Sequence, residues 1–248
     1  MTVHRFFLPP DVIREGQVRF PEMTARQILH VLRLRPGDIV AVLDGQGILY
    51  RVILKRVDRD AVLGQVTGQE VATGEPKMAV TLYASLIKGE RFEWILQKGT
   101  ELGVLRFVPM VTERTVVRDL TLSTSRQARW RRIVQEAAEQ SGRALLPEVE
   151  TPMTFAAACE QAAMADLSLI AWVEEKRRTL ADIWGNRRPA TLAILIGPEG
   201  GFTPDEVEQA CACGIMPFSM GPRVLRAETA AVVAVALAMQ QAGELSPT

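Results

Sequence analysis

The sequence predicts an α/β protein: a mostly parallel sheet covered by helices, preceded by a small β-barrel. Three observations carry this. Beyond about residue 77, short apolar runs alternate with amphipathic helical patterns, as crossover connections between parallel strands require. Before it, short strands follow one another with turn signals and little helical pattern. Near the C-terminus, two apolar runs end in glycine-broken turns and then enter helices. That geometry exposes main-chain groups at the carboxyl edge of a parallel sheet, where such proteins place ligands.

The N-terminal part, residues 1–70, opens its meander with Ile39–Leu43, turns at Asp44-Gly45-Gln46-Gly47, and continues with Tyr50–Leu54 and Ala61–Val66. The stretch from Gln69 to Lys77 lacks apolar periodicity and holds Gly74 and Pro76, so it reads as a linker. The second domain, 77–248, starts with a strand at Ala79–Ala84. A helix follows with Phe92, Ile95, Leu96, Gly99 and Leu102 on one side, then a strand at Phe107–Val111. From Arg126 to Ser141, Trp130, Ile133, Val134, Ala137 and Ala138 recur at helical spacing, opposite Arg126, Arg129, Arg131 and Arg132. Leu167–Val173, Thr191–Ile196 and Ile215–Met220 supply further strands, and a small-residue helix runs from Thr229 to Gln241.

Lys plus Arg equals Asp plus Glu, at 29 each, so no global charge advertises a nucleic-acid partner. The three cysteines form neither a disulfide framework nor a zinc pattern, and the Cys211-Ala212-Cys213 segment is expected to pack inside a helix. His4 and His30 lie far apart, which leaves a metal site without support. The apolar start, Phe6-Phe7-Leu8, is too short for a secretory leader, and Ala230–Met239 is about half a membrane span. A reducing cytoplasm is the expected setting, with no membrane contact.

The first glycine-broken turn is Ile196-Gly197-Pro198-Glu199-Gly200-Gly201-Phe202. Its glycines let a ligand approach the main chain. Thr203 reads as the N-cap of the next helix, with Pro204 at its first position and Glu206 completing a capping box. Glu199, Asp205 and Glu206 crowd this turn, so a neutral or partly cationic ligand is expected rather than a phosphate. In the second turn, Met220-Gly221-Pro222 is followed by Arg223, Leu225, Arg226 and Glu228 before the small-residue helix. Charged residues flanking such a turn are candidates for substrate contact.

LIGPEGGFTPDEV followed by MGPRVLRAETA closely resembles the RsmE family, the 16S ribosomal RNA uridine-N3 methyltransferases of the SPOUT superfamily. HRFF, HVLRLRPGD, IKGERFEWILQKGTELGV, ERTVV and EAAEQSGR fall in the family's order, so the likeness covers nearly the whole chain. The resemblance implies an N-terminal PUA-like barrel that holds RNA. It also implies a SPOUT domain with a C-terminal trefoil knot, a homodimer, and S-adenosyl-L-methionine bound in the knot. The cofactor pocket would be Ile196, Gly197, Pro198, Glu199, Gly200 and Gly201 with Met220, Gly221, Leu225, Arg226, Glu228 and Thr229. The strand end at Ala171 and Trp172 would add a wall.

Methyl transfer to a uracil ring nitrogen needs that nitrogen's proton removed and the resulting charge held. Arg226 is the expected holder of charge on the uracil oxygens, and Glu228 or Glu199 the proton acceptor. Arg5, Arg33, Lys88 and Arg91 are the expected RNA phosphate contacts. Two positions depart from the family's pattern: Ala227 stands where a threonine is usual, and no second basic residue follows Arg143. The competing readings are a non-catalytic RNA-binding assembly factor of the small subunit and a methyltransferase of the same fold acting on tRNA.

Overall fold

In a computed structural model, residues 3–117 and 120–246 are described. The chain divides into two compact units: Met1–Glu75 with Ala138–Leu146, and Pro76–Ala137 with Pro147–Thr248.

The first unit is built on β1 (Arg5–Phe7), β2 (Ile13–Arg14), β3 (Gln17–Arg19), β4 (Ile39–Leu43), β5 (Ile48–Val57) and β6 (Val62–Val71). A short helix, α1 (Glu22–Arg26), runs on into a π-helical turn at Gln27–Val31. The predicted hairpin joins β4 to β5, where Asp44 Oδ1 accepts the N–H groups of Gln46 and Ile48. A similar device joins β5 to β6, with Asp58 Oδ1 accepting from Asp60 and Ala61. The strands form one curled sheet in the order β1-β4-β5-β6-β3-β2, with β1 parallel to β4 and the other pairs antiparallel. Its two edges meet in one core: Phe6 of β1 and Ile13 of β2 join Val18, Phe20, Ile28, Val40, Val52 and Leu54. This is the expected barrel-like unit.

One boundary needs correction. Gln69–Val71, expected in a linker, finish β6, because their main chain pairs with Ile48–Tyr50. Polar side chains at Gln69 and Glu70 hide the strand from a search for apolar alternation.

In the second unit, β7 (Ala79–Ser85), β8 (Arg106–Val111), β9 (Glu148–Val149), β10 (Met153–Thr154), β11 (Leu167–Ala171), β12 (Thr191–Ile196) and β13 (Met216–Phe218) are all parallel. The order is β10-β8-β7-β12-β11-β13, with β9 beside β8. The helices are α2 (Arg91–Glu101), α3 (Thr124–Ser141), α4 (Phe155–Ala162), α5 (Leu180–Trp184), α6 (Pro204–Ala212) and α7 (Ala227–Ala242). Both sheet faces are covered, so the central strands read as unbroken apolar runs. On β12, Leu192, Ile194 and Ile196 enter a core with residues of α2, α5 and α7. Ala193 and Leu195 enter the opposite core with residues of α4 and α6.

Two strands stop earlier than expected, at Ala171 and at Phe218, and α7 starts two residues sooner, at Ala227. The residues released from the strands become loops at the carboxyl edge of the sheet. The cysteine expectation is partly corrected. Cys159 is buried and its thiol is pushed up to about 12, chiefly by burial, whereas Cys211 is exposed on α6. No helix among the described residues is long and apolar enough to cross a membrane.

Candidate active site

Strands β12, β11 and β13 lie side by side and end together, with Ile170 opposite Leu195 and Ala171 opposite Phe218. Their three following loops surround a cavity of about 820 Å³ at the carboxyl edge of the sheet, within the usual size for a small-molecule site. Its walls are Ile196–Phe202 after β12, Ala171–Lys176 and Thr179 around the end of β11, and Ser219–Leu225 after β13. Ala227 and Ala230 of α7 and the side chain of Arg114 complete it.

The first turn is held by its own helix. Thr203 Oγ1 accepts the N–H of Glu206, and Glu206 Oε2 accepts the N–H of Thr203 at 2.9 Å, so the predicted capping box is present. Glu206 has a further partner, the N–H of Glu113 at 2.8 Å. The expected crowding of three bare carboxylates is therefore corrected. Glu206 is buried and committed to main-chain donors, and Glu199 is paired with Arg91 at 2.7 Å. Gly201 has φ +69°, a conformation that disfavours any Cβ.

The second turn is braced from the β11 side. The Ser219 N–H donates to the Arg178 carbonyl at 2.8 Å, and the Gly221 N–H to Ser219 Oγ at 3.3 Å. Gly221 has φ +98°. In the loop after β11, Glu175 accepts the N–H groups of Arg177 and Arg178; these bonds hold its carboxyl below the usual glutamate range. Glu175 therefore shapes the wall.

Of the expected pocket residues, Ile196 to Gly201, Met220, Gly221 and Leu225 line the cavity, and so do Ala171 and Trp172. Arg226, Glu228 and Thr229 stand outside that lining. Arg226 is the exposed N-cap residue of α7, and Glu228 and Thr229 are half-buried in its first turn. Glu228 Oε2 is buried with no hydrogen-bond partner. Sequence reasoning missed Arg114, the loop from Val173 to Thr179, and Ala230, whereas Ala227 lies in the Arg226–Thr229 turn expected at the pocket. Arg114 lies in the ERTVV segment, so its position was flagged without a role. Ala230 gives no signal because small residues mark any tight helix packing.

Residues 74–239 match the RNA methyltransferase domain family, and residues 28–67 the RNA methyltransferase PUA domain family. Ribosomal RNA small subunit methyltransferase E of Synechocystis is 37% identical, across 95% of this chain and 77% of that protein. The chain belongs to the ribosomal RNA small subunit methyltransferase E family. The Bacillus subtilis member is 32% identical over 84% of both chains. The crystal structure of the Neisseria gonorrhoeae member bound to S-adenosyl methionine is 33% identical and superimposes with a TM-score of 0.86, covering 96% of this chain and 97% of that one. A Legionella pneumophila methyltransferase in complex with the same cofactor is 28% identical with a TM-score of 0.86, over 97% and 98%. The two-part fold expected for this family, a SPOUT-type parallel-sheet domain with a PUA-like domain, is thus the fold found.

The cavity fits the cofactor that those two relatives hold. A Cβ on Gly201 or Gly221 would meet no heavy atom within 4 Å, so the main chain at both turns borders open space. Ile196, Met220 and Leu225 offer apolar surface beside those exposed peptide groups, as a ligand with a flat ring and a polar tail requires.

The four expected RNA contacts fare differently. Arg5 Nη1 donates to the Gly142 carbonyl at 2.6 Å within the first unit, and Arg91 is engaged by Glu199. Lys88 and Arg33 are exposed, and Arg33 sits at φ +54° just after the π-helical turn. Arg143 is buried against Glu75, which removes it as a surface contact. The arginine face of α3 is largely spoken for: Arg129 pairs with Glu93, Arg132 with Glu136, and Arg126 lies 4.9 Å from the Trp130 ring centroid.

Proposed function

We propose that this protein transfers a methyl group from S-adenosyl-L-methionine to N3 of a uridine in the 16S RNA of the small ribosomal subunit. The observation that carries this reading is one cavity walled by two glycine turns at the ends of parallel strands, in a family whose cofactor-bound member superimposes over nearly the whole chain. Residues 1–70 would hold the RNA and residues 77–248 perform the transfer, in the cytoplasm and as a homodimer. The C-terminal knot belongs to the same reading. It is supported by the return of α7 from the edge strand β13 to pack on α2, β12 and β7.

When bound, the cofactor supplies an electrophilic methyl group on its sulfonium. The chain's own part is to orient the acceptor ring, exclude water and move one proton. Glu199 is the proton acceptor favoured by position, since it lines the cavity and Arg91 fixes its carboxylate. Glu228 is the alternative acceptor, from the first turn of α7 beside the cavity lining, where its Oε2 is buried without a hydrogen-bond partner and Arg226 would steady the charge.

The test is incubation with methyl-labelled cofactor and small subunits lacking the modification, followed by mapping of the labelled nucleoside. Label in N3-methyluridine of 16S RNA is the expected outcome. Label in tRNA, or none at all, would reject the reading. Sedimentation of the purified protein tests the dimer.

A further inference from the structure

Arg114 joins the cavity wall from outside both glycine turns. Arg114, between β8 and α3, donates from Nη1 to the main-chain carbonyl of Gly200 at 2.9 Å. Its stem lies so close that a Cβ on Gly200 would stand 3.1 Å from Arg114 Cβ and 3.3 Å from its Cδ. The segment that carries it is fastened on both sides. The Thr112 N–H donates to Thr115 Oγ1 at 2.9 Å, and the two hydroxyls are 2.8 Å apart. The Glu113 N–H donates to Glu206, the same carboxylate that closes the helix cap of the glycine turn.

The guanidinium is therefore held in place before any ligand arrives. Its partner among the described residues is a neutral carbonyl, which uses one of five donors, and no carboxylate there lies within ion-pair reach. The charge of Glu199, on the same turn, is already matched by Arg91. Lys176 and Arg223 also line the cavity but carry no comparable brace.

We propose that Arg114 is a catalytic residue of the methyl-acceptor site, donating to a carbonyl oxygen of the pyrimidine and holding the charge that gathers there as the ring is methylated. The inference rests on the uridine-N3 reading above. In uracil, N3 lies between two carbonyl carbons, so loss of its proton spreads an electron pair onto both oxygens. The proton goes to the acceptor carboxylate, the nitrogen pair forms the N–CH3 bond, and the pair of the broken S–CH3 bond stays on sulfur. A donor fixed beforehand at the developing charge is the arrangement that lowers such a barrier most. A base oxygen suits this position better than a phosphate, because the guanidinium belongs to the wall of the cavity beside Gly200.

Arg114→Met keeps the stem on Gly200 and removes the charge. Its single-turnover rate on saturating small subunits should fall about 100-fold or more, with affinities for S-adenosylhomocysteine and for RNA unchanged. Its pH–rate profile should also shift to higher pH, since a lost cation makes deprotonation of the acceptor harder. Arg114→Lys, which restores charge without the fork, should recover part of the rate and return the profile toward wild type. Thermal melting of both variants checks folding. An unchanged rate with weaker RNA binding and a salt slope smaller by about one would make Arg114 a phosphate contact and overturn the proposal. A loss of S-adenosylhomocysteine affinity as large as the loss of rate would make it a brace of the turn, and overturn it equally. Nucleoside mapping with wild-type protein tests the N3 reading separately from either variant.

Discussion

Buried Arg143 and half-buried Glu75 form an ion pair, with Arg143 Nη2 2.6 Å from Glu75 Oε2 and Arg143 Nε 3.0 Å from both carboxylate oxygens. Glu75 Oε1 also accepts the N–H groups of Ala144 and Leu145. One carboxylate thus ties the segment Ala138–Leu146 to residues nearly seventy positions earlier in the same unit. Breaking a pair of this kind by removing one partner costs about 3–5 kcal/mol, because the other charge is left buried. Glu75→Ala should lower stability by that order in urea denaturation.

The same pair makes the first unit sensitive to acid. Burial raises the Glu75 carboxyl, but the hydrogen bond and charge of Arg143, with the two N–H donors, outweigh it and leave the group below its ordinary 4.5. A depressed carboxyl contributes stability that is present above the unfolded-state value and lost as pH falls through the folded one. Stability should therefore decline on acidification below about pH 4.5, and Glu75→Gln should flatten that part of the curve measured by denaturation at stepped pH.

Thr203 and Glu206 link helix stability to the cofactor turn. Thr203→Ala should cost about 1 kcal/mol through the lost cap. Glu206→Ala should cost more, since it also strands the N–H of Glu113 in a half-buried place. Weaker S-adenosylhomocysteine binding by calorimetry should accompany the second change. Unaltered binding would detach the cap from the site.

Gly221 lies at φ +98° on the second turn, with open space where a Cβ would go. Strain rather than collision sets the cost of Gly221→Ala, about 1–2 kcal/mol for an L residue held in the left-handed region. The turn can relieve it only by moving. Calorimetry should show reduced cofactor affinity, with the melting temperature lowered modestly.

Arg91 and Lys88 are neighbours with different fates, one ion-paired and one exposed. Lys88→Ala should reduce the salt slope of RNA binding by about one. Arg91→Ala should leave that slope unchanged and lower the transfer rate, because Glu199 loses its anchor. Equal slopes for both variants would return Arg91 to the RNA surface.

Local chemistry decided what the sequence could declare by itself. The alternation of apolar runs and helices, the hairpin at Asp44–Gly47, the capping box at Thr203 and the two glycine turns depend on neighbours within a few residues. Their physics was therefore legible in order along the chain, as were the family motifs. What the fold alone decided were pairings over long separations. Arg114 meets Gly200, Glu113 meets Glu206, Arg91 meets Glu199 and Arg143 meets Glu75. A charged residue reads the same in a linear chain whether it will face solvent, a substrate or a buried partner. Only the packing of β11, β12 and β13 into one edge brought three distant loops around a common cavity. That packing separated Arg91 and Arg143, which pair with carboxylates, from Arg114, which lines the cavity on a main-chain carbonyl.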